Sequence, residues 1–173
     1  MFRKTIREVF IWGIWLLTGI FLSIYINSKI LVHAHVLSGS MESTIKTDDR
    51  VFGLRYGYFN ANHNRFDIIV FESPLPNEFD KPFIKRIIGL EGETVSVREG
   101  VVHINGMPIK ENYIPEIMLT DFDDTTVPHE HLFVMGDNRN NSRDSREWGT
   151  IPKNSVIGRI YISFSPMPKI FSN

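Results

Sequence analysis

The chain of 173 residues contains no cysteine. That absence excludes a disulfide framework, a zinc–thiolate site and a thiol nucleophile together. It leaves the redox compartment open, because extracytoplasmic proteins can lack cysteine as readily as cytosolic ones. Neither sign of charge is in surplus: 19 Lys and Arg against 20 Asp and Glu give a net charge of −1. No field that would hold a polyanion follows from this, and nucleic acid is not an expected partner. Internal repeats and low-complexity segments are missing as well. No histidine has the setting that a serine–histidine–aspartate triad requires. His33 and His35 lie just after an apolar run, His63 in a polar loop and His103 in a hairpin, while His129 and His131 flank Glu130. His129 and His131 would share a strand face, but no third metal ligand is evident beside them.

A long apolar run is present, at residues 9–28, without a single charge. It has roughly the 20 residues that a helix needs to cross a bilayer. Trp12, Trp15 and Tyr25 lie toward its ends, as in an aromatic belt, and Arg3, Lys4 and Arg7 precede it. The positive-inside rule then keeps residues 1–8 cytoplasmic and turns residues 29–173 outward. A cleaved secretory signal has a shorter apolar core followed by a small-x-small site, which Lys29 to His35 does not supply. A buried helix of a soluble protein fits less well, since nothing later in the chain would cover a helix apolar on every face.

The outward part is expected to be all-β. Alternating or continuous runs of β-branched and aromatic residues recur between Gly, Asn, Asp and Pro, and predict strands over 32–37, 50–54, 68–72, 83–90, 94–98, 101–104, 131–135 and 155–164. Helix signals are limited to about one turn after Ser40 and another over 143–148. Glu99-Gly100 and Asn105-Gly106 are hairpin signals, the second favouring a type I′ turn. A small excursion spans about 105–127. Its acidic portion, with Asp121, Asp123 and Asp124, reads as a solvated loop and lacks the spacing of a calcium loop.

Three segments carry chemistry. The run from Gly136 to Gly149, GDNRNNSRDSREWG, is too polar for core, and its carboxylates, arginines and hydroxyls can satisfy one another between tight turns. Ser38-Gly39-Ser40-Met41 is a turn that follows a strand, where a serine is either a nucleophile or an ordinary turn residue. Lys85 and Arg86 lie within the apolar strand 82–90, and strand alternation puts Phe83, Lys85 and Ile87 on one face and Ile84, Arg86 and Ile88 on the other. One of the two cations must therefore be partly desolvated. Lowering a lysine pKa from ~10.4 to near 8 costs its charged form roughly 3 kcal/mol and yields a general base. Arginine stays protonated, so Lys85 is the base candidate and Arg86 the structural one, unless Lys85 is an edge lysine whose head snorkels to water. Ser43-Thr44-Ile45-Lys46 matches the Ser-x-x-Lys of penicillin-recognising enzymes, but their partner motifs are absent.

Taken in order, an N-terminal anchor, Ser-Gly-Ser-Met, an apolar strand with Lys-Arg-x-x-Gly-Leu-x-Gly, and Gly-Asp-Asn-Arg-x-x-Ser-x-Asp-Ser-Arg-x-x-Gly resemble bacterial type I signal peptidase, the serine–lysine dyad family S26, in its compact Gram-positive-like form. The resemblance implies a mainly β fold with one transmembrane helix and an antiparallel catalytic domain. It implies Ser40 as nucleophile, Lys85 as neutral general base, and Ser38 with the Ser40 N–H as oxyanion donors. Ser142 would hold the Lys85 amine, Asp144 would pair with Arg146, and Asp137 and Arg139 would brace the loop. Met41, Ile45, Phe83 and Ile84 are the implied walls of pockets for Ala-like residues. The substrates would be exported preproteins cut after Ala-x-Ala, the second partner the bilayer, the location the plasma membrane, and no metal or organic cofactor is implied. Two departures stand out: Ser43 where the family usually has proline, and Glu91-Gly92-Glu93 in place of Pro-Gly-Asp. The competing readings are a catalytically silent, membrane-tethered protein that binds signal peptides, and a self-cleaving serine–lysine regulator related to the SOS repressors.

Overall fold

The computed structural model describes residues 2–56, 62–75, 81–165 and 167–171. It divides into two units, 1–31 and 32–173. The first is α1 (Phe2–Tyr25), continued by a π-helical turn over Ile26–Ile30. The stretch Arg7–Ile30 is long and apolar enough to cross a membrane, with a mean hydropathy of 2.1. The helix thus extends past both ends of the uncharged run, because the Arg and Lys residues before it are good helix formers.

The second unit is built from β-strands, as expected. Its larger sheet contains β1 (Leu31–His35), β2 (Arg50–Arg55), β3 (Ile68–Phe71), β4 (Phe83–Gly89), β9 (His131–Met135), β10 (Ile151–Pro152), β11 (Val156–Ser165) and β12 (Met167–Ile170). The order is β1-β2-β11-β3-β4-β9-β10, with β12 pairing β11. A four-stranded sheet holds β5 (Thr94–Arg98), β6 (Val101–Ile104), β7 (Met107–Pro108) and β8 (Phe122–Thr126), in the order β7-β6-β5-β8. Both predicted hairpin turns form, with positive φ at Glu99 and Gly100 and at Asn105 and Gly106, as a type I′ turn requires.

The solvated-loop reading of the excursion needs correction. Phe122–Thr126 pairs antiparallel with β5, and Met118 and Val127 are buried in the core beneath that sheet. Asp121, Asp123 and Asp124 do face solvent; the pairing with β5 shifts register between Val95 and Val97, a bulge that lets consecutive Asp123 and Asp124 both lie outward while Phe122 packs on Phe133, ring centroids 5.4 Å apart. At the other end of the chain, residues 167–170 pair with β11 from Ile162 onward; Pro166 between them lies outside the described residues.

The pairing of β3, β4 and β9 positions the chemistry. Ile69 is opposite Lys85 and Ile68 opposite Arg86, which confirms that consecutive cations point to opposite faces. Lys85 shares its face with Ile69, Phe71 and Ile87, whose side chains pack with Leu132, Val134 and Ile151. Arg86 shares its face with Ile68, Val70 and Ile84, which pack with Val36, Met41 and Ile45. Because Met135 at the end of β9 is opposite Arg86, the polar run that starts at Gly136 leaves the sheet beside both cations.

Candidate active site

Ser38 is extended (φ −133°, ψ 150°) and Gly39–Met41 form a 3-10 turn. Met41 and Ile45, 1% and 0% exposed, plug this turn into the core. They underlie the site, and neither offers surface to a substrate side chain. The turn is clamped from the polar run: the Asn138 N–H donates to the Ser40 carbonyl at 3.0 Å and its Nδ2 to the Gly39 carbonyl at 3.0 Å. The Asp137 N–H reaches Met41 Sδ at 3.4 Å. Ser40 Oγ is half-buried and lies 3.4 Å from Ser38 Oγ.

Gly136 explains how the segments meet. A Cβ there would lie 2.2 Å from Ser142 Oγ and 2.4 Å from the Ser40 carbonyl oxygen. Only a residue without a side chain lets the polar run pass between Ser40 and Ser142. The Ser142 hydroxyl is buried with no hydrogen-bond partner among the described residues, an orphan of the kind found where a reacting group or water belongs.

Lys85 is 4% exposed and, among the described residues, has no hydrogen bond or ion pair. Burial pushes its pKa down from 10.5 to about 8; the carboxylates of Asp144 and Asp137 oppose the fall and the Arg146 guanidinium assists it. Arg86 is instead fully engaged. Its Nε and Nη2 donate to the two Asp137 carboxylate oxygens at 2.8 and 2.5 Å, its Nη1 to the Phe66 carbonyl at 2.9 Å, and its guanidinium lies 3.9 Å from the centre of the Tyr113 ring. The base and structural assignments of the two cations thus have different physical settings, one dry and unpaired, the other bidentate.

The remaining charges of the polar run are paired in the same manner. Asp144 caps α2 (Ser145–Trp148) through the Arg146 N–H, accepts from Arg146 Nε and Nη2 at 2.8 Å each and from the Gly136 N–H at 3.0 Å. Arg146 Nη2 also donates to the Arg139 carbonyl at 2.7 Å. Arg139, 3% exposed, donates through Nε to the Gly136 carbonyl at 3.0 Å and bidentately to Glu111 at 2.6 and 2.7 Å. Asp137 also accepts from Thr44 Oγ1 at 2.5 Å.

Three contributors to this network, Thr44, Glu111 and Tyr113, have no signature that local sequence pattern reveals, while Asn138 lies within the polar run without its clamp on the Ser40 turn being legible there. Glu111 and Tyr113 belong to the excursion, and the Tyr113 hydroxyl donates to Glu111 at 2.5 Å. Phe83 and Ile84 are half-buried; Phe83 packs against Trp148, centroids 5.4 Å apart. Away from the site, exposed Glu91, His129 and Glu130 gather, but Lys153 Nζ already lies 2.7 Å from Glu91 and 3.5 Å from Glu130. His131 turns its Nδ1 to the His129 carbonyl at 2.9 Å.

Comparison with known proteins identifies the family. The profile of the family described as signal peptidase, peptidase S26, matches residues 9–165. The chain is 35% identical over 161 residues to a probable signal peptidase I-2 of Synechocystis sp., covering 91% of this chain and 74% of that protein. It is 31% identical over 175 residues to signal peptidase I of Bacillus licheniformis, covering 95% and 92%. A crystal structure of a signal peptidase I from Enterococcus faecalis V583 superposes with a TM-score of 0.51 at 37% identity, over 57% of this chain and 97% of that one. With the family profile spanning almost the whole chain and full-length relatives above 30% identity, the chain belongs to the signal peptidase I family of S26 serine peptidases, which remove signal peptides from preproteins.

Proposed function

We propose that Ser40 is the nucleophile of this peptidase and Lys85 its general base. The observation that carries the reading is a lysine buried in an apolar sheet with no ion-pair partner among the described residues, which favours the neutral amine at mildly alkaline pH. The neutral Lys85 Nζ takes the Ser40 hydroxyl proton as Oγ attacks the scissile carbonyl carbon. The oxyanion that forms is held by the Ser40 N–H and the Ser38 hydroxyl. Lys85 then returns the proton to the leaving amine, which departs as the new amino terminus. Water, deprotonated by the same amine, next attacks the ester carbonyl and releases Ser40. The orphaned Ser142 hydroxyl is the group that orients Lys85.

Half-buried Phe83 and Ile84 wall the shallow pockets that accept small residues before the cut, which gives the Ala-x-Ala preference. The apolar helix is a single-pass anchor with residues 1–8 cytoplasmic and residues 29–173 extracytoplasmic, so enzyme and exported preprotein share one plane and gain effective concentration. The bilayer is the second partner: Met167 and Ile170 on β12 are 79% and 75% exposed, next to the edge-packed Phe52 and Phe164, a surface suited to lipid contact. The test is incubation of detergent-solubilised protein with a preprotein carrying Ala-x-Ala, alongside Ser40→Ala and Lys85→Ala, with sequencing of any new amino terminus. Cleavage after the second alanine by the unmodified protein alone is expected. Residual cleavage by either variant refutes the dyad.

A further inference from the structure

A cavity of about 250 Å³ opens beside the nucleophile turn, lined by Glu42, Ser43, Ile114, Pro115, Glu116 and Asn138, with Asp137 and Arg139 behind them. Asn138 is shared between the cavity and the turn, because its N–H and Nδ2 hold the Ser40 and Gly39 carbonyls. The Glu42 carboxylate also belongs to both, lying 2.7 Å from where a Gly39 Cβ would be.

The charges of this cavity do not cancel. Asp137 is neutralised by Arg86 and Arg139 by Glu111. Glu42 and Glu116 are exposed, and their carboxylates have no hydrogen-bond or ion-pair partner among the described residues. Two free carboxylates therefore rim a hollow whose Ile114 and Pro115 wall suits the methylene stem of a long side chain.

Its place along the substrate is inferred from its lining. Phe83 and Ile84 precede Lys85, and Arg86 follows it, gripping Asp137 at the cavity wall. The cavity adjoins Ser40 through Glu42, Ser43 and Asn138 and shares no lining residue with the Phe83–Ile84 end of β4, which assigns it to the other side of Ser40 from the residues before the cut. We propose that Glu42 and Glu116 form a subsite for a lysine or arginine in the first residues of the mature protein, on the leaving side of the scissile bond. The inference rests on Ser40 and Lys85 as the reacting pair and on Phe83 and Ile84 as the walls before the cut.

The test uses the full chain in detergent at low salt and preproteins identical through the cleavage site, with Lys, Gln or Glu placed singly at each of the first five mature positions. For the unmodified enzyme, Lys at one position between the second and the fourth is expected to exceed Glu there by about fivefold in kcat/KM, the effect of two partly exposed charges. Glu42→Gln/Glu116→Gln should level Lys and Glu, Glu42→Lys/Glu116→Lys should invert them, and superimposable circular-dichroism spectra and melting curves of the three proteins report intact folding. An unchanged Lys-to-Glu ratio in the variants, or charge sensitivity only before the cut, overturns the subsite. Cleavage of the Gln substrate by Ser40→Ala would instead overturn the dyad reading on which the subsite stands.

Discussion

With Lys85 as the proposed base, one residue links stability to activity, and Lys85→Met separates the two. Lowering its pKa from 10.5 to about 8 disfavours the folded ammonium by about 3 kcal/mol. Because the folded pKa is the lower one, the sign is fixed. Below pH 8 both folded and unfolded chains carry the proton and the folded chain bears the whole penalty. Between pH 8 and 10.5 only the unfolded chain keeps it, so stability rises with pH; above 10.5 the penalty is gone. Met fills nearly the same volume without a charge. Lys85→Met should therefore be more stable than the unmodified protein by about 2–3 kcal/mol at pH 7, and the gap should narrow steadily from pH 8 to 10. Urea melts of both proteins across this range measure the difference and cancel the titration of every other group. In parallel, the neutral fraction of Lys85 is about one-tenth at pH 7 and about nine-tenths at pH 9, so kcat/KM of the unmodified enzyme should rise roughly tenfold with a midpoint near 8. An activity profile still rising without inflection toward pH 10.5, or a Lys85→Met protein less stable at pH 7, would refute the claim that an unpaired lysine is kept dry.

Gly136→Ala places a methyl group 2.2 Å from Ser142 Oγ and 2.4 Å from the Ser40 carbonyl oxygen. The serine side chain can rotate but the backbone oxygen cannot, so the nucleophile turn must shift, and kcat/KM should fall by about 100-fold, measured alongside a melting curve to separate it from unfolding. Glu111→Gln leaves the Arg139 guanidinium, whose side chain is 1% exposed, buried without its counter-charge. It should cost about 3 kcal/mol in urea melts, whereas Glu111→Leu/Arg139→Met should recover most of the loss.

Periodicity and turn chemistry located most of the strands, because β3, β4 and β9 are continuous apolar runs and the Asn105-Gly106 turn is written in its residue types. The elements it missed are those whose stabilisation comes from elsewhere. Phe122–Thr126 reads FDDTT and becomes a strand only because β5 presents a partner edge; β7 and β10 have two residues each, too few for any period. β12 contains a proline, which demotes a strand in a local reading and is tolerated at a sheet edge. The site shows the same division. Ser40, Lys85 and the polar run lie in motifs, and the pairing of Asp144 with Arg146 spans two residues. Thr44 meets Asp137 across 93 positions and Glu111 meets Arg139 across 28, distances over which no local pattern reports contact. Met41 and Ile45 were legible as apolar but not as buried, since a wall and a plug have the same composition.

The arrangement of charges also accounts for why a polar run rich in carboxylates can border a neutral lysine. Asp137 and Asp144 both favour the Lys85 ammonium, and either one, if unpaired in so dry a site, would restore the proton and quench the base. Each is instead held bidentately by an arginine, Asp137 by Arg86 and Asp144 by Arg146, in hydrogen-bond geometry that a lysine cannot reproduce. Arg139, the third, is neutralised in turn by Glu111 from the excursion, so its charge adds little net field. Arg86 and Arg146 thus consume the carboxylates, the carboxylates order the backbone around Gly136, and Lys85 is left as the cation with no partner among the described residues. The arginines are thus as necessary to the neutrality of Lys85 as its apolar surroundings: burial supplies the fall in pKa, and the pairing of the acids prevents its reversal.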